Sequence, residues 1–274
     1  MMESVKVHEK QLGVIRVVFL GDVVGRPGRN VIKDKLAGFR SKISADVVIA
    51  NGENAAGGAG IDPATAIELK NAGVDLITLG DHAFQRKGSA EFLDTNSDWC
   101  IRPANLPQQT TPGKGLCRYR LPDFSVEIVL INLLGRVFIS NIAESPFFEM
   151  DKFLNSEITT DGVITICDFH AEATSEKWAM ARHTDGKLAM LVGTHTHVQT
   201  SDAQILPHGT AYITDLGMTG SPEGVIGMKS SVALNRFLSP RPAPYEIAPG
   251  EGVMRGVIAD FCVETCKAKS IISL

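Results

Sequence analysis

The sequence lacks the features that define several classes of protein. No apolar run approaches the roughly 18 residues that a membrane-spanning helix needs, so we expect no membrane association. Residues 1–13 are mixed and charged, without the apolar core of a signal peptide, and they predict a short N-terminal extension. The net charge of −4 gives no electrostatic reason to expect a stable nucleic-acid partner.

Cysteines are few, odd in number and scattered, with five in 274 residues. Cys262 and Cys266 are separated by three residues, but no second pair completes a zinc-finger pattern. We therefore interpret the cysteines as buried free thiols of a cytoplasmic protein.

The common nucleotide-binding signatures are also missing. The glycines at 57, 58 and 60 are followed by neither a Walker lysine nor a GxGxxG pattern, so they predict a tight turn. Repeats, low-complexity segments and linkers are absent too, and we expect residues 1–274 to form a single domain.

What the sequence does contain is an alternation of strand-like and helix-like segments. Apolar runs predict strands at residues 14–20, 47–50, 74–79, 126–133, 163–167 and 188–192. Ile32, Leu36, Phe39 and Ile43 lie on one face of a predicted helix, and residues 63–72 predict another. Residues 252–274 predict a final β-hairpin. The pattern favours an α/β fold whose sheet is covered on both faces.

Polar residues with metal-binding side chains follow these predicted strands. They are Asp22, Glu53, Asn54, Asp81, His82, His170, His195 and His197. In open α/β sheets, ligands bind beyond the carboxyl ends of the strands, so we expect these side chains to converge there. Imidazole mixed with carboxylate and amide oxygens suits iron(II), manganese or zinc. Even seven of these eight side chains are too many ligands for one tetrahedral site, and they suit two ions that share a bridging carboxylate.

The pair His195 and His197 carries its own expectation. Residues i and i+2 of an extended chain point to the same side, so both rings are predicted to reach toward one point past a strand end.

Each of these residues also has a plainer interpretation. A single aspartate after a strand is commonly a turn former or helix N-cap. A lone histidine is more often a hydrogen-bonded polar residue than a ligand, and we interpret His8, His183 and His208 in that way. Arg102 and Asn105 could bind substrate or could belong to a structural loop. Agreement among independent strand ends is what favours the metal site.

The motifs GDVVGRPGR, NGENAAGG, RPANLP, DFHAEATSEK, GTHTHVQT and ITDLGMTG resemble those of the bacterial YmdB-like branch of the calcineurin-like metallophosphoesterases. The resemblance runs from about residue 16 to the C-terminus. It implies a four-layer α/β/β/α sandwich with a di-metal site at one edge. It also implies hydrolysis of phosphodiesters, including cyclic nucleotides such as 2′,3′-cyclic AMP, with iron or manganese, and a homo-oligomeric state.

The resemblance further implies a ligand set. The first metal would be held by Asp22, Glu53, Asn54 and His197. The second metal would be held by Glu53, Asp81, His170 and His195, with Glu53 bridging. His82 would stand near the leaving-group oxygen, where it could act as a general acid.

One position departs from the family pattern. The family usually has Gly-Asn-His where this chain has Gly80-Asp81-His82. The extra carboxylate makes the site about one charge less positive, which predicts tighter metal binding and a less electrophilic centre. A regulatory metal-binding protein with activity weakened by Asp81 therefore stays open as an alternative. The residues are also compatible with a phosphomonoesterase on the same site or with a mononuclear zinc hydrolase.

Overall fold

The structure is a computed structural model that describes residues 7–156 and 161–274. Of the predicted N-terminal extension, residues 1–6 lie outside the described part. The described residues form fourteen strands and six helices. The strands are β1 (Val14–Leu20), β2 (Asp22–Val23), β3 (Val47–Asn51), β4 (Leu76–Thr78), β5 (Cys100–Ile101), β6 (Leu116–Arg120), β7 (Glu127–Leu134), β8 (Val163–His170), β9 (Met190–Thr194), β10 (Gln204–Ile205), β11 (Ala211–Ile213), β12 (Met218–Thr219), β13 (Gly256–Cys262) and β14 (Ala268–Ser273). The helices are α1 (Gly25–Ile43), α2 (Pro63–Asn71), α3 (Ser89–Asn96), α4 (Pro146–Leu154), α5 (Thr174–Thr184) and α6 (Ser230–Leu238).

The strands build two six-stranded sheets and one small ribbon. The first sheet has the order β14-β13-β1-β3-β4-β5, with β1, β3, β4 and β5 parallel. The second has the order β10-β11-β9-β8-β7-β6, with β7, β8, β9 and β11 parallel and antiparallel strands at both edges. β2 and β12 form the ribbon. The predicted mixed α/β class is confirmed, with two large sheets where the apolar pattern alone suggested one.

The side chains of β7 show how the sheets pack, because successive residues of a strand point to opposite faces. Leu130 belongs to a buried apolar cluster that also contains Val18 of the first sheet. Its neighbour Ile131 belongs to a second cluster with Met150 of α4 and Met180 of α5. The two sheets therefore share one core, while helices cover the other face of the second sheet.

Helices α1 and α2 follow the predicted pattern. Ile32 and Leu36 of α1 are fully buried. The helix is terminated by the next residue after Ile43, Ser44, whose backbone is left-handed with φ of 54°. At the start of α2, the carboxylate of Asp62 accepts a hydrogen bond from the amide of Thr65 at 2.8 Å. This cap satisfies an amide that the helix itself leaves unpaired.

Two of the predicted strands begin two residues later than predicted, because helix ends occupy their first residues. The predicted strand at residues 74–79 shortens to β4, since the amide of Val74 bonds to the carbonyl of Leu69 at the end of α2. The strand predicted at residues 188–192 shifts to β9, since the amide of Leu188 bonds back to Thr184 of α5. The C-terminal hairpin is confirmed, with β13 antiparallel to β14.

All five cysteines are free thiols, and each is buried except Cys262, which is partly exposed. Across residues 7–156 and 161–274, no helix combines the length and apolar character needed to cross a membrane.

Candidate metal centre

The polar residues that follow the predicted strands come together beside the carboxyl ends of both sheets. From the first sheet, Glu53 follows β3 and Asp81 follows β4. From the second, His170 is the last residue of β8 and His195 follows β9. Their ligand atoms all lie within 4.8 Å of one another, and the four residues form a group that could hold a metal ion. The convergence is the one expected for parallel strand ends.

The imidazole nitrogens and carboxylate oxygens of this group lie close to one another. His170 Nε2 lies 3.1 Å from Asp81 Oδ1 and 3.2 Å from Glu53 Oε1. His195 Nδ1 lies 3.0 Å from His170 Nε2 and 3.5 Å from Asp81 Oδ1. Two imidazole nitrogens and two carboxylates facing one another in this way suit a first-row metal ion.

Three further donors adjoin the group on the side of Glu53. The amide of Asn54 donates to Glu53 Oε1 at 3.0 Å and lies 3.2 Å from His197 Nε2. His197 Nε2 lies 3.8 Å from Asp22 Oδ1. Asp22 Oδ2 in turn accepts a hydrogen bond from the backbone amide of His195 at 3.2 Å. All seven donors predicted from the sequence thus lie in one connected cluster.

An orphaned oxygen tests whether this cluster fits a metal ion. Within the described residues, Asp22 Oδ1 is the one buried side-chain oxygen or nitrogen without a hydrogen-bond partner. Its neighbours His170 Nδ1 and His197 Nε2 lie 3.9 Å and 3.8 Å away, beyond hydrogen-bond range. Leaving such an acceptor unsatisfied costs about 1–3 kcal/mol, and more for a charged group. A cation at this oxygen would remove that cost, so the donor set fits a metal.

The electrostatics of the cluster favour positive charge among its carboxylates. Burial disfavours ionisation of Glu53, but the charge and hydrogen bond of His170 outweigh it and hold the pKa of Glu53 well below its usual range. Burial is likewise outweighed at Asp81, whose pKa is lowered by hydrogen bonds to His170 and His195. Burial also opposes the charge of His170, yet Glu53 and Asp81 raise its pKa well above the usual value. Carboxylates that stabilise the charged ring of His170 would equally stabilise a divalent cation, which would bind the imidazole nitrogen in place of its proton.

The prediction that an extended chain directs the rings of His195 and His197 to the same side is wrong. β9 ends at Thr194, and the next residues have left-handed backbone, with φ of 98° at His195 and 64° at His197. His195 turns toward Asp81 while His197 turns toward Asn54. A loop conformation, not an extended chain, therefore directs the rings to different neighbours.

A buried ion pair holds this loop, and sequence reasoning missed it. Lys177 Nζ lies 2.7 Å from Asp215 Oδ2, and both side chains are 1% exposed. Lys177 also donates to the carbonyl of Thr194, and Asp215 accepts from the amide of Thr196. The pair therefore fixes the backbone on both sides of His195. The signal was present in the motifs DFHAEATSEK and ITDLGMTG, which contain these two charges.

Two of the histidines carry a partner on the nitrogen that faces away from the cluster. His170 Nδ1 lies 2.8 Å from the Thr194 hydroxyl, which donates to Asp168 Oδ1 at 2.7 Å. His197 Nδ1 donates to the carbonyl of Ile226 at 2.8 Å. A proton fixed on each outward nitrogen leaves the inward Nε2 lone pair free for a metal.

Asp168 is a second residue that sequence reasoning missed. It accepts hydrogen bonds from Thr78, Thr194 and Asn51, and all of these side chains are buried. Burial raises its pKa to about 6 against the opposing effects of His170 and these hydrogen bonds. A carboxylate within an apolar strand is the signal that could have identified it.

His82 lies at the accessible rim of the cluster. Its Nδ1 is 3.3 Å from Glu53 Oε1, its Nε2 is 3.6 Å from Asp81 Oδ2, and its side chain is 29% exposed. The hydrogen bond to Glu53 raises the pKa of His82, and burial opposes that rise only in part. The ring is thus able to carry a proton where solvent and substrate can reach it.

Gly80 is required because the side chains of Glu53 and His170 lie close against its backbone. A side-chain carbon at this position would collide with the carboxylate of Glu53 and the ring of His170. The glycine before Asp81 therefore makes the space in which these two side chains meet.

Arg102 and Asn105 form hydrogen bonds to the backbone, as the structural alternative predicts. The guanidinium of Arg102 donates to the carbonyls of Pro103 and Gly113, and the side chain is buried. Asn105 donates to the carbonyl of Leu134 and accepts from its amide. The glycines at 57, 58 and 60 have φ between 70° and 86°, which agrees with the predicted turn.

The fold and this donor set define a mixed α/β protein with a carboxylate–histidine centre that could hold metal. The chain belongs to the YmdB-like protein family, whose family model matches residues 18–274. The resemblance found in the sequence motifs is thereby confirmed.

Named relatives agree with this assignment. The chain is 41% identical over 257 residues to the 2′,3′-cyclic-nucleotide 2′-phosphodiesterase of Bacillus subtilis (strain 168), covering 94% of this chain and 95% of that protein. A crystal structure of a hypothetical protein from Thermus thermophilus matches with a TM-score of 0.84 and 38% identity, covering 95% and 98% of the two chains. A novel phosphatase from Mycoplasma pneumoniae matches with a TM-score of 0.88 and 34% identity, covering 96% and 94%. These names are consistent with the predicted hydrolase acting on phosphoric diesters.

Proposed function

We propose that this protein is a di-metal phosphodiesterase that hydrolyses phosphodiester bonds, including those of cyclic nucleotides such as 2′,3′-cyclic AMP. The observation that carries the proposal is the approach of Glu53, Asp81, His170 and His195 to within 4.8 Å at the strand ends. The substrate class is supported by the Bacillus subtilis relative, which is named as a cyclic-nucleotide phosphodiesterase.

The proposed centre divides seven ligands between two ions. Asp22, Glu53, Asn54 and His197 would hold the first ion. Glu53, Asp81, His170 and His195 would hold the second. Glu53 would be common to both ions, because its carboxylate lies between the two groups of residues: Oε1 is 3.2 Å from His170 Nε2 and accepts a hydrogen bond from the side-chain amide of Asn54 at 3.0 Å. Mixed nitrogen and oxygen donors suit iron or manganese, with zinc as the alternative.

The chain and its metals contribute different parts of the chemistry. Two divalent ions, when bound, lower the pKa of water and stabilise charge on the phosphoryl oxygens. The loop after β9 and the partners of the histidines keep the ligands in fixed orientations. His82, at the open rim, donates a proton to the leaving oxygen, which is worth about 10²–10⁴-fold in rate.

The same proposal includes the domain organisation. Residues 1–274 form one domain, with the two sheets as inner layers of a four-layer α/β/β/α sandwich. The buried cluster common to both sheets supports this arrangement, as does the packing of α4 and α5 on the second sheet.

A second candidate function is a phosphomonoesterase that uses the same residues. It is favoured by the relative from Mycoplasma pneumoniae, which is named as a phosphatase. A substrate panel separates the candidates. With added manganese or iron, we expect faster hydrolysis of bis-p-nitrophenyl phosphate than of p-nitrophenyl phosphate, turnover of 2′,3′-cyclic AMP, and two ions per chain by elemental analysis of the same preparation.

Other outcomes of the panel contradict the proposal in distinct ways. Faster hydrolysis of the monoester identifies a phosphomonoesterase. No turnover of any of the three substrates by the fully metallated protein identifies a regulatory metal-binding protein. One ion per chain with full activity identifies a mononuclear hydrolase.

The extra carboxylate at Asp81 is expected to raise the affinity for metal and to lower the turnover rate. Replacing Asp81 with asparagine removes one negative charge next to His170 and keeps the shape of the side chain. We expect the Asp81→Asn protein to bind manganese more weakly and to turn over phosphodiester faster at saturating metal. Manganese titration and kcat at saturating manganese measure both quantities. Equal or higher turnover by the unmodified protein would contradict the prediction.

A further inference from the structure

The ring of His195 is held between two different environments. Its Nδ1 lies 3.0 Å from His170 Nε2 and 3.5 Å from Asp81 Oδ1, at the centre of the cluster. Its Nε2 lies 3.1 Å from Glu172 Oε2, on the outer side. Glu172 stands two residues after His170, between β8 and α5, and its side chain is 47% exposed. A carboxylate therefore faces the one ring nitrogen of His195 that points away from the cluster.

His195 differs from the other two histidines of the centre in this partner. The outward nitrogen of His170 meets the hydroxyl of Thr194, and that of His197 meets the backbone carbonyl of Ile226. Both partners are neutral, whereas Glu172 provides a carboxylate. His195 also lies in a loop with φ of 98°, so its ring is not held by a strand or helix. Its orientation depends on side-chain contacts more than that of His170, which is fully buried within β8.

We propose that Glu172 is the positioning residue of His195. Its carboxylate accepts a hydrogen bond from Nε2–H, which keeps the ring proton on the outer nitrogen and the lone pair of Nδ1 facing the cluster. A carboxylate in this position also makes the imidazole a stronger donor to a metal. The inference rests on the proposed function, because the benefit of a fixed Nδ1 is realised when an ion is bound there.

The effect of Glu172 on metal binding can be distinguished from an effect on the stability of the fold. An ion pair with a half-exposed partner contributes little to stability, about 0–1 kcal/mol. Loss of an outer partner of a metal-bound histidine, in contrast, typically costs about 10–100-fold in metal affinity. The effect of removing Glu172 should therefore appear in metal binding and not in the unfolding transition.

Two variants of Glu172 and one control test the inference. Glu172→Ala removes the acceptor, while Glu172→Gln keeps a carbonyl oxygen that can accept from Nε2–H without the charge. Glu251→Ala removes an exposed carboxylate from a loop and is the matched control. Manganese is titrated into each chelator-stripped protein, and denaturant unfolding of the metal-free proteins is measured in parallel. Nitrogen-15 NMR of the metal-free proteins at alkaline pH reports the tautomer of His195, whose signal is assigned from a His195→Asn protein.

We expect Glu172→Ala to weaken the binding of one manganese ion about 10–100-fold, Glu172→Gln to weaken it less, and Glu251→Ala to leave it unchanged. We expect the proton of His195 on Nε2 in the unmodified protein and a mixture of tautomers in Glu172→Ala. Equal manganese affinity in the unmodified and Glu172→Ala proteins overturns the inference while leaving the proposed metal site intact. Failure of the unmodified protein to bind manganese, iron(II) or zinc overturns the proposed function, and the tautomer of His195 then decides by itself whether Glu172 positions the ring.

Discussion

Replacing His82 with asparagine is expected to lower kcat for 2′,3′-cyclic AMP by about 10²–10⁴-fold and to leave the metal content unchanged. His82 is outside the proposed ligand set, yet it lies 3.3 Å from Glu53 Oε1 at the exposed rim. The hydrogen bond to Glu53 raises its pKa, so the ring keeps a proton that it can give to a poor leaving group. Asparagine fills similar space and cannot act as an acid.

The leaving group provides the sharpest control for this prediction. A nitrophenolate departs without protonation, so the loss on bis-p-nitrophenyl phosphate should be much smaller than the loss on the cyclic nucleotide. His183, which pairs with Asp151 at 2.6 Å, provides a matched His183→Asn control that should keep full activity. Equal losses on both substrates, or a fall in bound metal, would show that His82 is not a general acid.

Replacing Lys177 with methionine is expected to destabilise the protein by about 3–5 kcal/mol, because it leaves the carboxylate of Asp215 buried without its cation. Both side chains are 1% exposed, and the pair holds the carbonyl of Thr194 and the amide of Thr196. Denaturant unfolding of the metal-free protein measures the change in the free energy of unfolding. The loop that carries His195 should loosen as well, so metal affinity should fall with stability.

A double variant separates the loss of the pair from the loss of the lysine itself. In Lys177→Met with Asp215→Leu, both charges are gone, and part of the lost stability should return, since a buried pair replaced by apolar groups is often close to neutral. Recovery should remain incomplete because the amides of Thr196 and Gly217 lose their acceptor. Lys187→Met, at an exposed lysine, should be near neutral. A loss below about 1 kcal/mol for Lys177→Met, the range of an exposed pair, would contradict the prediction.

Much of the fold follows from local patterns. The predominantly apolar strand β1 and the one-sided helix α1 appear in the structure as their sequence patterns predict, because the burial of apolar side chains stabilises both. The bounds of β4 and β9 could not be predicted, since the amides of Val74 and Leu188 bond to the ends of the preceding helices. The strand pattern likewise did not reveal the division into two sheets, which only the family resemblance implied, because an apolar run does not specify the distant strand with which it pairs.

The pairing of the residues that support the site could not be predicted for a similar reason. Asp168 accepts from Thr78, 90 positions earlier in the chain, and Lys177 pairs with Asp215, 38 positions later. Such partners are brought together by tertiary packing, and nothing in the spacing of the sequence links them. Glu172 became distinguishable from other exposed acids only through its distance to His195.

The sequence by itself determined which donors stand at the strand ends, because the carboxyl ends of parallel strands meet at a common edge wherever the strands are placed. That rule brought Glu53 and Asp81 together at the end of the first sheet, while the packing of the second sheet on the first placed His170 beside them. The tertiary structure alone decided how the pair at 195 and 197 is oriented. Positive φ at both histidines replaces strand alternation, so Asp22 and Asn54 face one ring while Asp81 faces the other. Backbone held in that region depends on contacts with other segments, which the local sequence does not specify.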